Sequence, residues 1–254
     1  MRVLCVVAVL LVGSNCAIAQ GFGWQPSPRD PFTIPKRYMG VEVGSGYTIH
    51  GGSLDYIEAG LGITCCSHSA GSGIPWRIGV TADEWISPTI AVSLSAGVSM
   101  FGVAFVTPTT PVPLSDGVLL RTEYVLEGNL TYATFAGAVS TRLFESGLYA
   151  GGGLRLHVFL GGSLRQTERV VSPDSYYFTT NPRSKEVEVG TTFLDNATPV
   201  QVEPYITVGY NVPLAPGYYL SPAISAGIGL LSVTTTDPWR MIDLGVHLRF
   251  MKGL

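Results

Sequence analysis

The chain has 254 residues, 46% of them hydrophobic and only 13% charged, with a formal net charge of −3. A soluble protein with this balance would need a very large core, and weak acidity without a basic run excludes a nucleic-acid partner. The length fits one domain.

The first segment reads as an export signal. Arg2 supplies the positive region and Val3 to Val12 the apolar core. Ala17-Ile18-Ala19 is a small-x-small cleavage site, so residues 1–19 are expected to leave and the mature chain to begin at Gln20. Cys16 raises a lipoprotein alternative, but Asn15 fits poorly before such a cysteine. Residues 20–37 are Pro-rich, carry no strand pattern and read as a periplasmic lead-in. Beyond the signal no apolar run reaches the ~18 residues of a transmembrane helix.

From Tyr38 onward the chain alternates with a period of two. The first strand is expected near 38–49, with Met39, Val41 and Val43 on one face and Glu42, Gly44 and Thr48 on the other. The second, near 74–85, sets Ile74, Trp76, Ile78 and Val80 against Arg77, Thr81 and Asp83. The third, 89–101, has the clearest alternation, from Ile90 to Met100 against Ser93, Ser95 and Ser99. The fourth lies within 120–144 and its register is ambiguous. There Glu127, Asn129 and Thr131 share a parity with apolar Phe135, Val139 and Leu143. A bulge near 131–134 would reconcile them, whereas a hairpin would add strands.

The fifth strand, 148–160, puts Leu154, Leu156 and Val158 outward and Tyr149, Arg155 and His157 inward. The sixth, 201–212, carries Glu203 inward. The seventh, 218–231, has Ser221, Ala223 and Ser225 inward. In the eighth, Leu244, Val246, Leu248 and Phe250 face away from Asp243, Gly245, His247 and Arg249. Residues 251–254 are expected to be a tail.

Long connections (51–73, 102–119, 161–200) come after the first, third and fifth strands, and short turns after the second, fourth and sixth. Apolar faces toward lipid, polar faces toward a lumen and this long-short rhythm define the expectation. It is an all-β, eight-stranded, antiparallel, up-and-down transmembrane barrel over residues 38–250, with ten strands as the alternative. Tyr38, Trp85, Tyr218, Tyr219 and Trp239 are expected at the membrane interfaces.

The alternating strands, the connection rhythm, the Gly-rich stretches 151–153 and 226–229 and the ending of the last strand resemble the small outer-membrane β-barrel family with OmpA-type and PorT-type barrel domains. Asp243, Gly245, Leu248 and Phe250 resemble that class's C-terminal assembly signal. The resemblance implies a bacterial outer-membrane location, surrounding lipid and the barrel-assembly machinery as partners. Its members' roles are diverse, so fold does not give function.

For the lumen, Glu42, Arg77, Asp83, Glu127, Arg155, His157, Glu203, Asp243, His247 and Arg249 are the candidate polar network. Eight strands leave an interior only just wide enough for side chains, so a salt-bridged plug is expected over a narrow pore, with Glu42–Arg249 the favoured pair. Cys65 and Cys66 could form a strained vicinal disulfide or pair with other chains; a loop feature without chemistry is the simpler reading. No cofactor and no metal site are indicated. Neither His157 nor His247 sits in a Ser-His-acid motif, and His50 and His68, near Ser67 and Ser69, read as solvated loop residues. No enzyme is therefore expected, a lipid A-modifying activity being the least favoured reading. The long 161–200 connection, with Arg165, Arg169, Tyr176, Tyr177 and Phe178, suits a surface protein or glycan ligand, or a lid.

Overall fold

The computed structural model describes residues 36–55, 57, 68–114, 117–144, 146–179 and 184–254. The expected export signal, nearly all of the expected lead-in, and Cys65 and Cys66 lie outside these.

The strands in chain order are β1 (Arg37–Gly51), β2 (Ala70–Gly73), β3 (Pro75–Trp85), β4 (Ile90–Pro108), β5 (Val112–Pro113) and β6 (Leu119–Arg142). They continue as β7 (Leu148–Ser172), β8 (Glu186–Phe193), β9 (Val200–Tyr210), β10 (Val212–Ala215), β11 (Tyr218–Ile228) and β12 (Arg240–Gly253). Neighbours pair in the order β4-β3-β1-β12-β11-β9-β7-β6, and β6 returns to β4. The sheet is therefore closed, and no edge remains to be satisfied in lipid. The wall has eight strands, because β2 extends β3 and β10 extends β9, while β5 and β8 lie off the ring. β1 and β12 seal the ring over a register from Tyr38–Gly253 to Gly51–Arg240.

Around the lower wall the faces are inverted relative to a soluble protein. Outward residues such as Trp76, Ile78, Leu94 and Ile206 are each more than 60% exposed. Inward residues include buried Asp83, Arg155, Glu203, Asp243 and His247. Exposed apolar side chains around a closed polar interior suit lipid, not water. The chain is a membrane-spanning β-barrel.

Two wall strands run far past the membrane. β6 has 24 residues and β7 has 25. At ~3.3 Å per residue such a strand is ~80 Å long; tilted about 40° it still spans ~60 Å, against an apolar band of about 25 Å. Above that band the polarity of the faces reverses. Leu126, Leu130, Phe101, Phe105, Leu164 and Trp239 point inward and are fully buried, and Leu54, Val233 and Leu194 close over them. The outside there meets water, so the inside becomes the apolar core.

This reversal corrects several expectations. β6 carries no bulge: its register with β4 is continuous from Ile90–Thr141 to Pro108–Glu123. Glu127 is therefore outside the barrel and exposed, level with Arg165, not in the lumen. The bulge sits in β7 instead, where Thr131 pairs with Gly161 and Tyr132 with Phe159, leaving Leu160 extra. It turns Leu164 and Gln166 inward above while Arg155 and His157 stay inward below. The 161–200 connection is not structureless. β7 continues through it, and β8 pairs with β7 from Ser163–Phe193 to Arg169–Glu186. β8 is an added strand, but it stands beside the upper β7 and does not enter the ring, so a ten-stranded barrel is not formed.

Four of the expected interface aromatics are inside. Tyr38, Trp85 and Tyr219 pack with Ala91 and Met251 at the lower end, and Trp239 is in the upper core. Each lies on the inward parity of its strand or enters from the loop above, which the apparent height along the strand did not reveal. Met251 belongs to the lower cluster because β12 runs to Gly253, so most of the expected tail is strand.

Candidate functional site

The lumen holds two polar layers. In the upper one, Arg77 on β3 donates through Nη2 to Asp243 Oδ2 on β12 at 2.8 Å. Arg155 on β7 donates through Nη1 to Glu203 Oε1 on β9 at 2.5 Å and to Asp243 Oδ2 at 3.3 Å. Its Nη2 donates to Ser225 Oγ at 3.0 Å, and its guanidinium lies 3.9 Å from the centre of the Tyr205 ring. His157 bridges Thr134 Oγ1 at 2.9 Å through Nδ1 and Glu203 Oε2 at 3.2 Å through Nε2. His247 Nε2 is 2.7 Å from Ser225 Oγ.

The lower layer centres on Arg249. It donates to Asp83 Oδ1 at 3.3 Å and to the Tyr149 hydroxyl at 2.8 Å. Tyr219 donates its hydroxyl to Asp83 Oδ2 at 2.7 Å, and Tyr149 and Ser221 are 3.0 Å apart. These contacts run between strands that are not neighbours in the ring, such as β3 to β11 and β3 to β12. They cross the bore, which is what closes it.

Nine of the ten candidate lumen residues are inside. Arg77, Arg155, His157, Glu203 and Asp243 form one cluster, Asp83 and Arg249 another, and Glu42 lies beside His247 with Oε1 and Nδ1 3.6 Å apart. Glu127, on the outer face of β6, is the exception. The favoured Glu42–Arg249 ion pair is not formed. The two are direct cross-strand partners, but the long Arg249 side chain reaches past its neighbour to Asp83. The assembly-signal residues divide by face: Asp243 is buried in the network, and Leu248 and Phe250 face outward.

Thr134, His157 and Glu203 form a hydroxyl–imidazole–carboxylate chain. It resembles a nucleophilic relay in order only. Thr134 donates to Ser99 Oγ at 2.8 Å, and Phe101 and Tyr132 pack edge-on to the imidazole at 5.5 and 5.9 Å. A substrate has no room to approach. No group of His, Cys, Asp and Glu among the described residues could hold a metal ion.

Sequence reasoning missed the upper core. His50 and His68 are fully buried there, not solvated. Trp239 Nε1 donates to His50 Nδ1 at 3.1 Å, and His50 Nε2 meets Thr48 Oγ1 at 3.1 Å. A signal existed: Phe101, Val103 and Phe105 continue the inward parity of β4 beyond the membrane, where apolar residues replace the serines.

No protein-family model matches the chain, and no curated protein matches it. Among solved structures it is similar to Ail, the attachment invasion locus protein of Yersinia pestis, at 9% identity, with 85% of this chain and 99% of that one covered and a TM-score of 0.36. It is similar to Neisserial surface protein A at 13% identity, with 83% and 95% covered and a TM-score of 0.34. It is also similar to the outer membrane protease OmpT of Escherichia coli, at 10% identity, 89% and 99% covered, and a TM-score of 0.34. The barrel itself is established by its own strand pairings.

Proposed function

We propose that the chain is an exported protein of the bacterial outer membrane, released from its signal after Ala19, whose barrel is an anchor and whose outer extensions bind a protein or glycan at the cell surface. On this reading it is neither a pore nor an enzyme. One observation carries it: the bore is closed twice, by the ion-paired layers and by the apolar core above them, while β6, β7 and β8 continue outward as a paired arm. A transporter would need a path, and a hydrolase would need an open cleft beside its polar groups.

The arm has surface chemistry suited to contact. Arg165 pairs with Glu188 at 3.1 Å, Arg169 with Glu123, and Lys185 with Asp174 at 2.6 Å. The Lys185 ammonium beside Asp174 holds that carboxyl below its usual range. Tyr176 and Phe178 stack edge to face, and Tyr177 is exposed. Lipid surrounds the wall, and the Asp243, Gly245, Leu248 and Phe250 pattern would be read by the barrel-assembly machinery.

The test has two arms. Purified protein in a planar bilayer should be silent, and steady conductance would overturn the anchor reading. Cells displaying the protein without residues 174–184 should keep a heat-modifiable barrel but lose adhesion to host-cell or glycan surfaces. Unchanged adhesion would remove the arm from the function.

A further inference from the structure

Three guanidiniums of the polar network are each committed to a carboxylate: Arg77 to Asp243, Arg155 to Glu203 and Arg249 to Asp83. Glu42 is the fourth carboxylate, and no guanidinium lies within ion-pair distance of it among the described residues. Its contact with His247 Nδ1 is 3.6 Å, too long for a hydrogen bond. That nitrogen is itself buried without a hydrogen-bond partner. His247 is 6% exposed, and its other nitrogen is taken by Ser225.

Between these groups lies a cavity of about 50 Å³ inside the barrel. Ser93, Ser95 and Ser140 line one side, and Glu42, His247 and Arg249 the other. A buried water needs roughly 10–15 Å³ of such space and two to four polar partners. The chamber offers both, and the Glu42 side chain, 22% exposed, has surface left to hydrate.

We propose that this chamber is a binding site for a small cluster of structural water that bridges Glu42 to the serine hydroxyls beside the His247 ring. The cluster completes the polar plug where the ion pairs stop short. Water, not a small monovalent cation, is the occupant, because the Arg155 and Arg249 side chains line the same chamber. Water bridges of this kind can stand in for direct hydrogen bonds.

The refolded full-length barrel in nanodiscs tests this. Water-selective NMR should give cross-peaks from slowly exchanging water to the His247 ring protons. Ala136→Leu, which fills the chamber from β6, should lower the thermal midpoint by several degrees, and adding Glu42→Leu should restore it. Equal ionic strengths of sodium, potassium and choline chloride should give the same midpoint. A missing water signal, or a more stable Ala136→Leu variant, would mean a dry void. A midpoint that rises only with a small cation would mean a cation site. Either result overturns the proposal.

Discussion

Arg249 crosses the bore to Asp83, 3.3 Å from Nη1 to Oδ1, although its cross-strand partner is Glu42. Direct pairing in a sheet brings Cβ atoms to ~5 Å, and Arg155 takes its direct partner Glu203 across that separation. Arg249 instead extends past Glu42. Asp83 lies on β3, beyond β1, and is already oriented by the Tyr219 hydroxyl.

Arg249→Leu should therefore destabilise the barrel through Asp83. Removing one partner of a buried pair costs about 3–5 kcal/mol. Asp83→Asn in the same chain should recover much of that loss, because no bare carboxylate remains. Urea unfolding of the two single variants and the double variant measures the coupling. A cycle between Arg249 and Glu42 should show much less. Equal coupling in the two cycles would contradict the geometry.

The apolar core above the membrane should behave like the core of a soluble domain. Trp239 is fully buried and touches Phe105 and His50 at ring distances of 5.6 and 5.7 Å. Trp239→Ala should cost about 3–5 kcal/mol, as large-to-small aromatic changes do. The loss should appear as faster amide exchange in residues 229–239 and the top of β1, with the lower wall unchanged. Uniform loss of protection around the barrel would show that the two zones are one cooperative unit.

The sequence made the wall legible because lipid and lumen impose one rule on every strand. Arg77, Arg155 and Asp243 stand on inward parity, and the structure puts them there. That rule holds only across the apolar band. Glu127 was misplaced because above the band water is outside and the core is inside, so polar parity points outward. The ambiguity in β6 was the mark of that boundary, with Thr131 at the crossing and the bulge displaced to Leu160 on the partner strand. Pairing across the bore, as between Arg249 and Asp83 or Arg77 and Asp243, could not be read either. It depends on which strands face each other across the ring, which is set by closure and not by any local pattern.

Closure itself depends on close approach between β1 and β12. A Cβ added at Gly46 would lie 2.0 Å from the Leu244 carbonyl oxygen, a backbone atom that cannot swing away. Gly46→Val should therefore reduce folded barrel. Phe250→Ala should lower membrane levels by a separate route, loss of the outward aromatic that resembles the assembly signal. Refolding from urea into detergent distinguishes them: Gly46→Val should fail there as well, and Phe250→Ala should refold. Normal membrane yield of Phe250→Ala would remove the signal reading.

Barriers in series predict how the bore can be opened, the lowest of them the Arg249 layer. The Arg155 layer and the Trp239 core close it at different heights, with Tyr132 and Phe101 packed between them against His157. Arg155→Ala alone removes one bridge, with Asp243 still held by Arg77 and Glu203 by His157, and leaves the apolar core, which water does not cross. Trp239→Ala alone opens the core but leaves the guanidinium bridges. Each single variant should stay silent in a planar bilayer. Only the triple variant that adds Arg249→Ala should pass small ions, because in the double variant the lower Asp83–Arg249–Tyr149 layer still spans the bore. Conductance in Arg155→Ala alone would show that the upper core does not seal, and a silent triple variant that still migrates as a folded barrel would show that other contacts suffice to block it.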